Sequence, residues 1–301
     1  MRNAFIDELA ALAELHPQIA LVVGDLGFSV VEPFADRFPD RFINAGVAEQ
    51  NMAGVSAGMA SEGYHVFMYS IANFPTFRCA EQIRNDIDYH NLSVTVVSVG
   101  GGVAYGPLGY SHHAVQDYAL MRCMPNMLIA APGDPMEVRS CIRYLVDNPQ
   151  PSYLRLGKAG EKCLHSQPPV IEPGRWVLVK AGEKSDKYVT FLTTGAAIQG
   201  LLGQDGDFPA ELQHSIYSLP LWGMKWKNLQ REQTRSFEKI ISVEDHLADG
   251  GFGSFLLESM SSACHRDTEL IIKALDSQVC GVVGTQSALW ALSGLTSRVS
   301  V

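Results

Sequence analysis

Apolar residues recur along this chain with two alternating periods. Phe5, Ile6, Leu9, Leu12 and Leu15 keep the i, i+3/i+4 spacing of an amphipathic helix. Similar helical spacing is predicted over 53–63, 78–86 and 114–122. Between the helical stretches lie short β-branched or apolar runs. Ile19–Val23 stops at Gly24, and Val94–Val99 stops at Gly100-Gly101-Gly102. Further runs fall at 41–44, 66–70 and 127–131, the last ending at Pro132-Gly133. Unbroken apolar runs that end in Gly or Pro are what strands buried on both faces look like. The alternation predicts an α/β domain with a mostly parallel sheet. In such sheets chemistry collects in the loops beyond the strand C-termini.

The rhythm breaks at 157–174, GKAGEKCLHSQPPVIEPG, which holds three prolines and three glycines. Such clusters mark loops and domain boundaries. Apolar runs then resume at 187–193, 214–219, 239–243 and 269–272. The division is a first domain at 1–160, a linker at 161–175 and a second, smaller α/β domain at 176–301.

Composition narrows the class. The chain has 301 residues, 47% of them hydrophobic and 18% charged, which excludes a disordered polyampholyte and suits a sizeable core. Its net charge is −9 with no Lys/Arg run, so it is a poor partner for nucleic acid or an anionic membrane. No apolar run approaches the roughly 20 residues of a membrane span. The opening MRNAFIDELAALAEL carries Asp7, Glu8 and Glu14 inside its apolar stripe, so it reads as an amphipathic helix rather than a signal peptide. Six cysteines, at 79, 123, 141, 163, 264 and 280, contain no C-x-x-C pair. That spacing supports neither a disulfide framework nor a zinc site and fits a soluble cytoplasmic protein.

Three loops carry candidate chemistry. Gly46-Val47-Ala48-Glu49-Gln50-Asn51-Met52 opens a helix rich in small residues, where Gly54, Ala57 and Gly58 permit close approach of another helix or chain. Glu49 stands in its first turn, a favourable place for a carboxylate whether catalytic or merely solvated. Ile71-Ala72-Asn73-Phe74-Pro75-Thr76-Phe77 follows the run at 66–70. Its aromatics could stack on a planar ring or simply pack the core. Gly106-Pro107-Leu108-Gly109-Tyr110-Ser111-His112-His113 follows Val94–Val99, with Ser111 placed to cap the next helix. His112 and His113 suit proton transfer near neutral pH, or ordinary loop hydrogen bonds. Two smaller features take structural readings. Trp222-Gly223-Met224-Lys225-Trp226 is expected at a surface or interface, and Glu244-Asp245-His246, despite its metal-like composition, is assigned no metal. No phosphate-binding G-x-x-x-x-G-K-[ST], G-x-G-x-x-G between strand and helix, H-E-x-x-H or G-x-S-x-G occurs.

Taken together, GVAEQNM around Glu49, the aromatic loop 71–77 and GYSHHAVQDYALMRCMPNM resemble the pyrimidine-binding domain of transketolases. That domain is shared more loosely with deoxyxylulose-phosphate synthases and the β chains of 2-oxo acid dehydrogenases. Gly24-Asp25-Leu26-Gly27 and Tyr153-Leu154-Arg155-Leu156-Gly157-Lys158 are similar to the family's first strand end and to the end of the same domain. Leu192-Thr193-Thr194-Gly195, Glu244-Asp245-His246 and Gly250-Gly251-Phe252-Gly253 resemble its smaller C-terminal α/β domain. The resemblance implies thiamine diphosphate as cofactor. It implies that Glu49 hydrogen-bonds the aminopyrimidine ring nitrogen and favours the tautomer that deprotonates C2. It also implies that Phe74 stacks on the ring with Phe77 and Ile71 beside it, and that Asp25 lies near the cofactor and a chain interface. His112 then contacts donor hydroxyls, with His113 and Lys158 as further substrate contacts.

The departures are specific. Gly100 and Leu108 stand where sugar-phosphate transketolases carry a histidine and an aspartate, and Lys158 replaces an arginine that grips phosphate. Lysine holds phosphate as a point charge without the bidentate fork. A modified or specialised sugar is therefore expected as substrate. The Gly-Asp-Gly…Asn motif that holds Mg²⁺ and the diphosphate is absent, so no metal is assigned to this chain. The expectation is a C-terminal subunit of a split transketolase, active with an N-terminal subunit that holds the Mg²⁺, in an α2β2 heterotetramer transferring a two-carbon ketol unit. Two alternatives stand beside it. A 2-oxo acid dehydrogenase β chain would show acyl transfer to a lipoyl carrier, and a non-catalytic subunit would tolerate loss of Glu49.

Overall fold

The computed structural model of the chain describes residues 1–183, 188–260 and 268–296; Cys264 and Lys187 lie outside them. The described strands are β1 (Ile19–Val23), β2 (Phe42–Asn44), β3 (His65–Ile71), β4 (Val94–Val99), β5 (Leu128–Ala130), β6 (Ser152–Leu156), β7 (Val177–Lys180), β8 (Val189–Thr193), β9 (Ser215–Ser218), β10 (Leu221–Trp222), β11 (Lys239–Leu247) and β12 (Glu269–Leu275). One sheet runs β10-β5-β6-β4-β3-β1-β2 and the other β12-β11-β8-β9-β7. Within the first sheet every pairing is parallel except β10 against β5. In the second only β7 against β9 is antiparallel.

The continuous apolar runs follow from burial on both faces. Leu21, Val23, Phe67, Tyr69, Val97 and Val99 turn to one side, with Phe5, Leu9 and Ala13 of the helix Arg2–Leu15 and Val138, Ile142 and Leu145 of the helix Pro135–Asp147. Val22, Val66, Met68, Val94 and Val96 turn to the other, with Met52, Ala53 and Ala57 of the helix Glu49–Ser61. Alternating strand residues thus feed two cores. The helix Pro135–Asp147 carries its own start signal: Asp134 accepts a hydrogen bond from the Glu137 N–H, and Pro135 fills the first turn. Among the described residues no helix is long and apolar enough to cross a membrane.

Several expectations change. Among the described residues no helix or strand lies between Leu156 and Val177, the stretch read as a linker, yet side chains of both halves pack in the same core clusters. β10 crosses back to extend the first sheet, and Leu192, Trp222, Phe252 and Phe255 join the cluster that holds Val22 and Val66. Trp222 is therefore fully buried instead of lying at a surface, with its indole N–H on Thr194 Oγ1 at 2.9 Å. The helix predicted over 78–86 breaks at Cys79 and continues as Ala80–Gln82 and a π-helical turn, Ile83–Asp88. The one predicted over 114–122 shortens to Asp117–Met121, because Ala114 pairs with Gly102 in an isolated antiparallel bridge.

The core includes a proton-sensitive point. His65 is buried on β3, stacked on Phe67, with Nε2 3.1 Å from Thr95 Oγ1. Burial depresses its pKa from 6.5 to about 4. The folded ring holds its proton less tightly than the unfolded one, so its contribution to stability is complete above pH 6.5 and lost as pH falls towards 4. The loss amounts to about 3 kcal/mol across that window. Urea unfolding of His65→Gln between pH 7 and 4.5 is expected to show a shallower acid dependence than the wild type; parallel curves would refute this.

Candidate active site

The candidate residues gather at the C-terminal ends of the parallel strands, where helix N-termini and loops converge. Asp25 follows β1 with φ of 54°. It is exposed and clasped by Asn44 at the end of β2: Asn44 Nδ2 donates to Asp25 Oδ1 at 3.0 Å, and the Asp25 N–H donates to Asn44 Oδ1 at 3.1 Å. Asn44 Oδ1 also accepts the Gly46 N–H at 3.0 Å. This fixes the turn that delivers Glu49 to the start of its helix. Glu49 is buried, with 4% of its side chain exposed.

Ile71 ends β3, and the helix Asn73–Arg78 begins at once. Phe74 and Arg78, four positions apart, share one face of it. The Arg78 guanidinium carbon lies 4.0 Å from the Phe74 ring centroid, and Arg78 Nη1 donates to Glu49 Oε1 at 2.7 Å. Glu49, Arg78 and Phe74 thus form one stack-and-pair unit from two helices. The His112 ring meets Phe74 edge-on at 5.2 Å and Tyr105 at 6.4 Å.

The histidine loop is built from two single 3₁₀ turns, Gly106–Leu108 and Tyr110–His112, separated by Gly109 at φ 76°. Ser111 does not cap the following helix; its Oγ lies 3.0 Å from His112 Nδ1. Asn73 Nδ2 ties the loop to the aromatic helix by donating to the Ser111 carbonyl at 2.8 Å. Burial, with His113 and Arg78 adding to it, holds His112 below the ordinary imidazole range. An open cleft of about 400 Å³ lies beside these residues, lined by Asn73, Phe77, Tyr110, Ser111 and Gln116. Phe77 is half exposed on its rim.

Glu49, Phe74 and His112 are therefore linked through Arg78 and ring contacts, and Phe77 lines the cleft beside them. His113 does not line that cleft. It is fully buried, with Nε2 3.3 Å from the Gly106 carbonyl, and so braces the loop from within. Lys158 stands just past β6, partly buried. Sequence reasoning passes over Arg78, although its position four residues after Phe74 is a helical-face signal.

A second group missed from sequence supports the loop from below. Arg155 on β6 is 2% exposed and donates from Nε to Asp117 Oδ2 at 2.6 Å and from Nη2 to the Ala114 carbonyl at 2.8 Å. Its Nη1 also pairs with Asp245 of β11. Gly102, at φ 63°, lies where a Cβ would collide with the Asp245 carboxylate, so glycine allows this approach. The Glu244-Asp245-His246 run is spent on structure. Glu244 accepts the Phe252 and Gly253 N–H groups at 2.5 and 2.8 Å, and His246 stacks on Tyr118 at 5.3 Å.

Known proteins share this chain's pattern over most of its length. Residues 1–160 match the family described as transketolase, pyrimidine binding domain. One subunit of the apulose-4-phosphate transketolase of Phocaeicola vulgatus is 33% identical over 269 residues, covering 86% of this chain and 83% of that protein. A putative transketolase C-terminal section of Methanocaldococcus jannaschii is 30% identical over 270 residues, covering 87% and 82%. Among solved structures, a split gene transketolase described as an inactive β4 tetramer superposes with a TM-score of 0.79 at 30% identity, covering 99% of this chain and 94% of that one. Campylobacter jejuni transketolase, at 17% identity, shares the fold with a TM-score of 0.74; 98% of this chain corresponds to 45% of that one.

Proposed function

The chain belongs to the transketolase family through its pyrimidine-binding domain, and from that premise we propose that it is the C-terminal subunit of a split, thiamine-diphosphate-dependent enzyme. The reaction is transfer of a two-carbon ketol unit from a ketose donor to an aldose acceptor. The observation that carries this reading is the slot between Glu49 and Phe74. A buried carboxylate faces a planar, N–H-donating group that lies on an aromatic ring. Those are the contacts a protonated aminopyrimidine requires, so the residues present fit that ring.

When bound, thiamine diphosphate supplies a nucleophilic carbon and a sink for the electron pair it acquires. Glu49 holds a proton at the pyrimidine ring nitrogen, from a site dry enough to strengthen the bond. Phe74 supplies the stacking face, while Ile71 and Phe77 wall the ring. His112, whose surroundings favour its neutral form, stands next to Ser111 on the cleft wall, where it can orient and exchange protons with sugar hydroxyls. Asp25, at the turn beside Glu49, lies near the edge where a partner chain would close the site. Lys158 offers a point charge to a distal anionic group. His113 acts indirectly, by bracing the loop.

The N-terminal subunit would hold Mg²⁺ and the diphosphate, in an α2β2 assembly in the cytoplasm. Two features of the helix Glu49–Ser61 support an exposed docking face: Gly54 and Gly58 face open space, and Val47 just before it is exposed. A relative named as one subunit of a transketolase, and another described as an inactive β4 tetramer, support dependence on a second chain. Gly100 and Leu108, together with a relative named for apulose 4-phosphate, support a specialised sugar.

Calorimetric titration of thiamine diphosphate with Mg²⁺ tests the reading. A mixture with the N-terminal subunit is expected to bind at least about 100-fold tighter than this chain alone, since only the complete site compensates the anion. Tight binding by the isolated chain would overturn the partner dependence. No binding by the mixture would overturn the function.

A further inference from the structure

The Glu49–Phe74 slot is already filled by a part of the chain itself. Arg78 places one guanidinium nitrogen on Glu49 Oε1 at 2.7 Å while its guanidinium carbon lies over the Phe74 ring, 4.0 Å from the centroid. A guanidinium offers a flat face and an edge of N–H donors. The ring assigned to this slot would call on the same carboxylate and the same aromatic side chain. Two groups cannot share them. The burial is asymmetric: the Glu49 side chain is 4% exposed and that of Arg78 45%. The carboxylate is fixed inside, whereas its cationic cover reaches it from solvent on a long, jointed stem.

We propose that Arg78 is an internal plug of the pyrimidine slot, seated between Glu49 and Phe74 in the free chain and displaced towards solvent when the ring enters. The proposal rests on the functional reading above. A buried carboxylate without a counter-charge is strongly unfavourable, so the free subunit gains by keeping Glu49 covered. Once the ring donates to Glu49 that need disappears, and the half-exposed guanidinium returns to water at small cost. The ring must therefore compete with an effective intramolecular ligand. The partner's grip on the rest of the cofactor supplies the advantage, which ties loading of the site to assembly.

The test compares wild type, Arg78→Ala and Arg78→Gln, each assembled with the N-terminal subunit and titrated calorimetrically with thiamine diphosphate and Mg²⁺. If the slot is open in about a tenth of free molecules, removing the plug tightens the apparent Kd about tenfold. The association rate should rise with it. Arg78→Gln keeps a hydrogen bond to Glu49 without the charge, so it reads the same comparison if Arg78→Ala fails to fold. Unchanged or weaker binding by the folded variants would overturn the plug while leaving the function standing. Absence of binding in the wild-type complex would overturn both.

Discussion

Glu49→Gln, assembled with the N-terminal subunit, is expected to lose at least about 100-fold in kcat, in line with removal of a positioned acid–base group. Thiamine diphosphate affinity should change by less than about tenfold, because most of that binding is assigned to the diphosphate end. The geometry explains the split. Glutamine fills the same volume at the start of the helix Glu49–Ser61, and its amide oxygen still accepts from Arg78. It cannot hold and return a proton at the ring nitrogen. Glu49→Ala should lose as much turnover and also expose the Arg78 guanidinium to a vacated, buried corner. Steady-state kinetics beside calorimetry decides the matter. Turnover within a factor of about three of wild type would favour a subunit that keeps the fold without the chemistry.

The second large effect is on the fold. Arg155→Leu is expected to destabilise the chain by about 3–5 kcal/mol, the range for breaking a buried ion pair by removing one partner. Two carboxylates, Asp117 and Asp245, are fully buried against this one guanidinium. Removing it leaves both without their cation. It also removes one of two donors to the Ala114 carbonyl, which keeps the Gly102 N–H of the bridge closing the histidine loop. Arg155→Lys should recover only part of the loss, since an ammonium cannot make the divergent bonds of the fork. Urea titration measures the effect, and Asp245→Asn in a double-mutant cycle isolates the link between the two halves of the chain. A loss below about 1 kcal/mol for Arg155→Leu would show that the pair is not a structural tie.

How much of this was legible in the sequence depended on how local the signal was. β1 and β4 were readable to the residue, because strands covered on both faces write themselves as unbroken apolar runs. β10 was not, because two residues carry no period, and their strand exists only where Leu221 and Trp222 come back against Ala130 and Ile129. Glu49, Phe74 and His112 were each ambiguous by themselves. Their order along the chain carried the resemblance to transketolases, and the structure links Glu49, Phe74 and His112 through Arg78 and ring contacts, with Phe77 on the neighbouring cleft. His113 shows the limit of adjacency: it neighbours His112 in sequence, but the 3₁₀ turn sends it into the core.

The sequence by itself determined the α/β alternation, the break after β6, the family and the loops where chemistry belongs. Those are properties of short-range period, turn residues and motif order. Only the tertiary structure decided that Arg78 covers Glu49, and that Arg155 joins Asp117 to Asp245, itself 90 positions further along the chain than Arg155. Charge pairing in a dry interior depends on distance and on exclusion of water, and neither is written in the order of residues until the chain has closed around them.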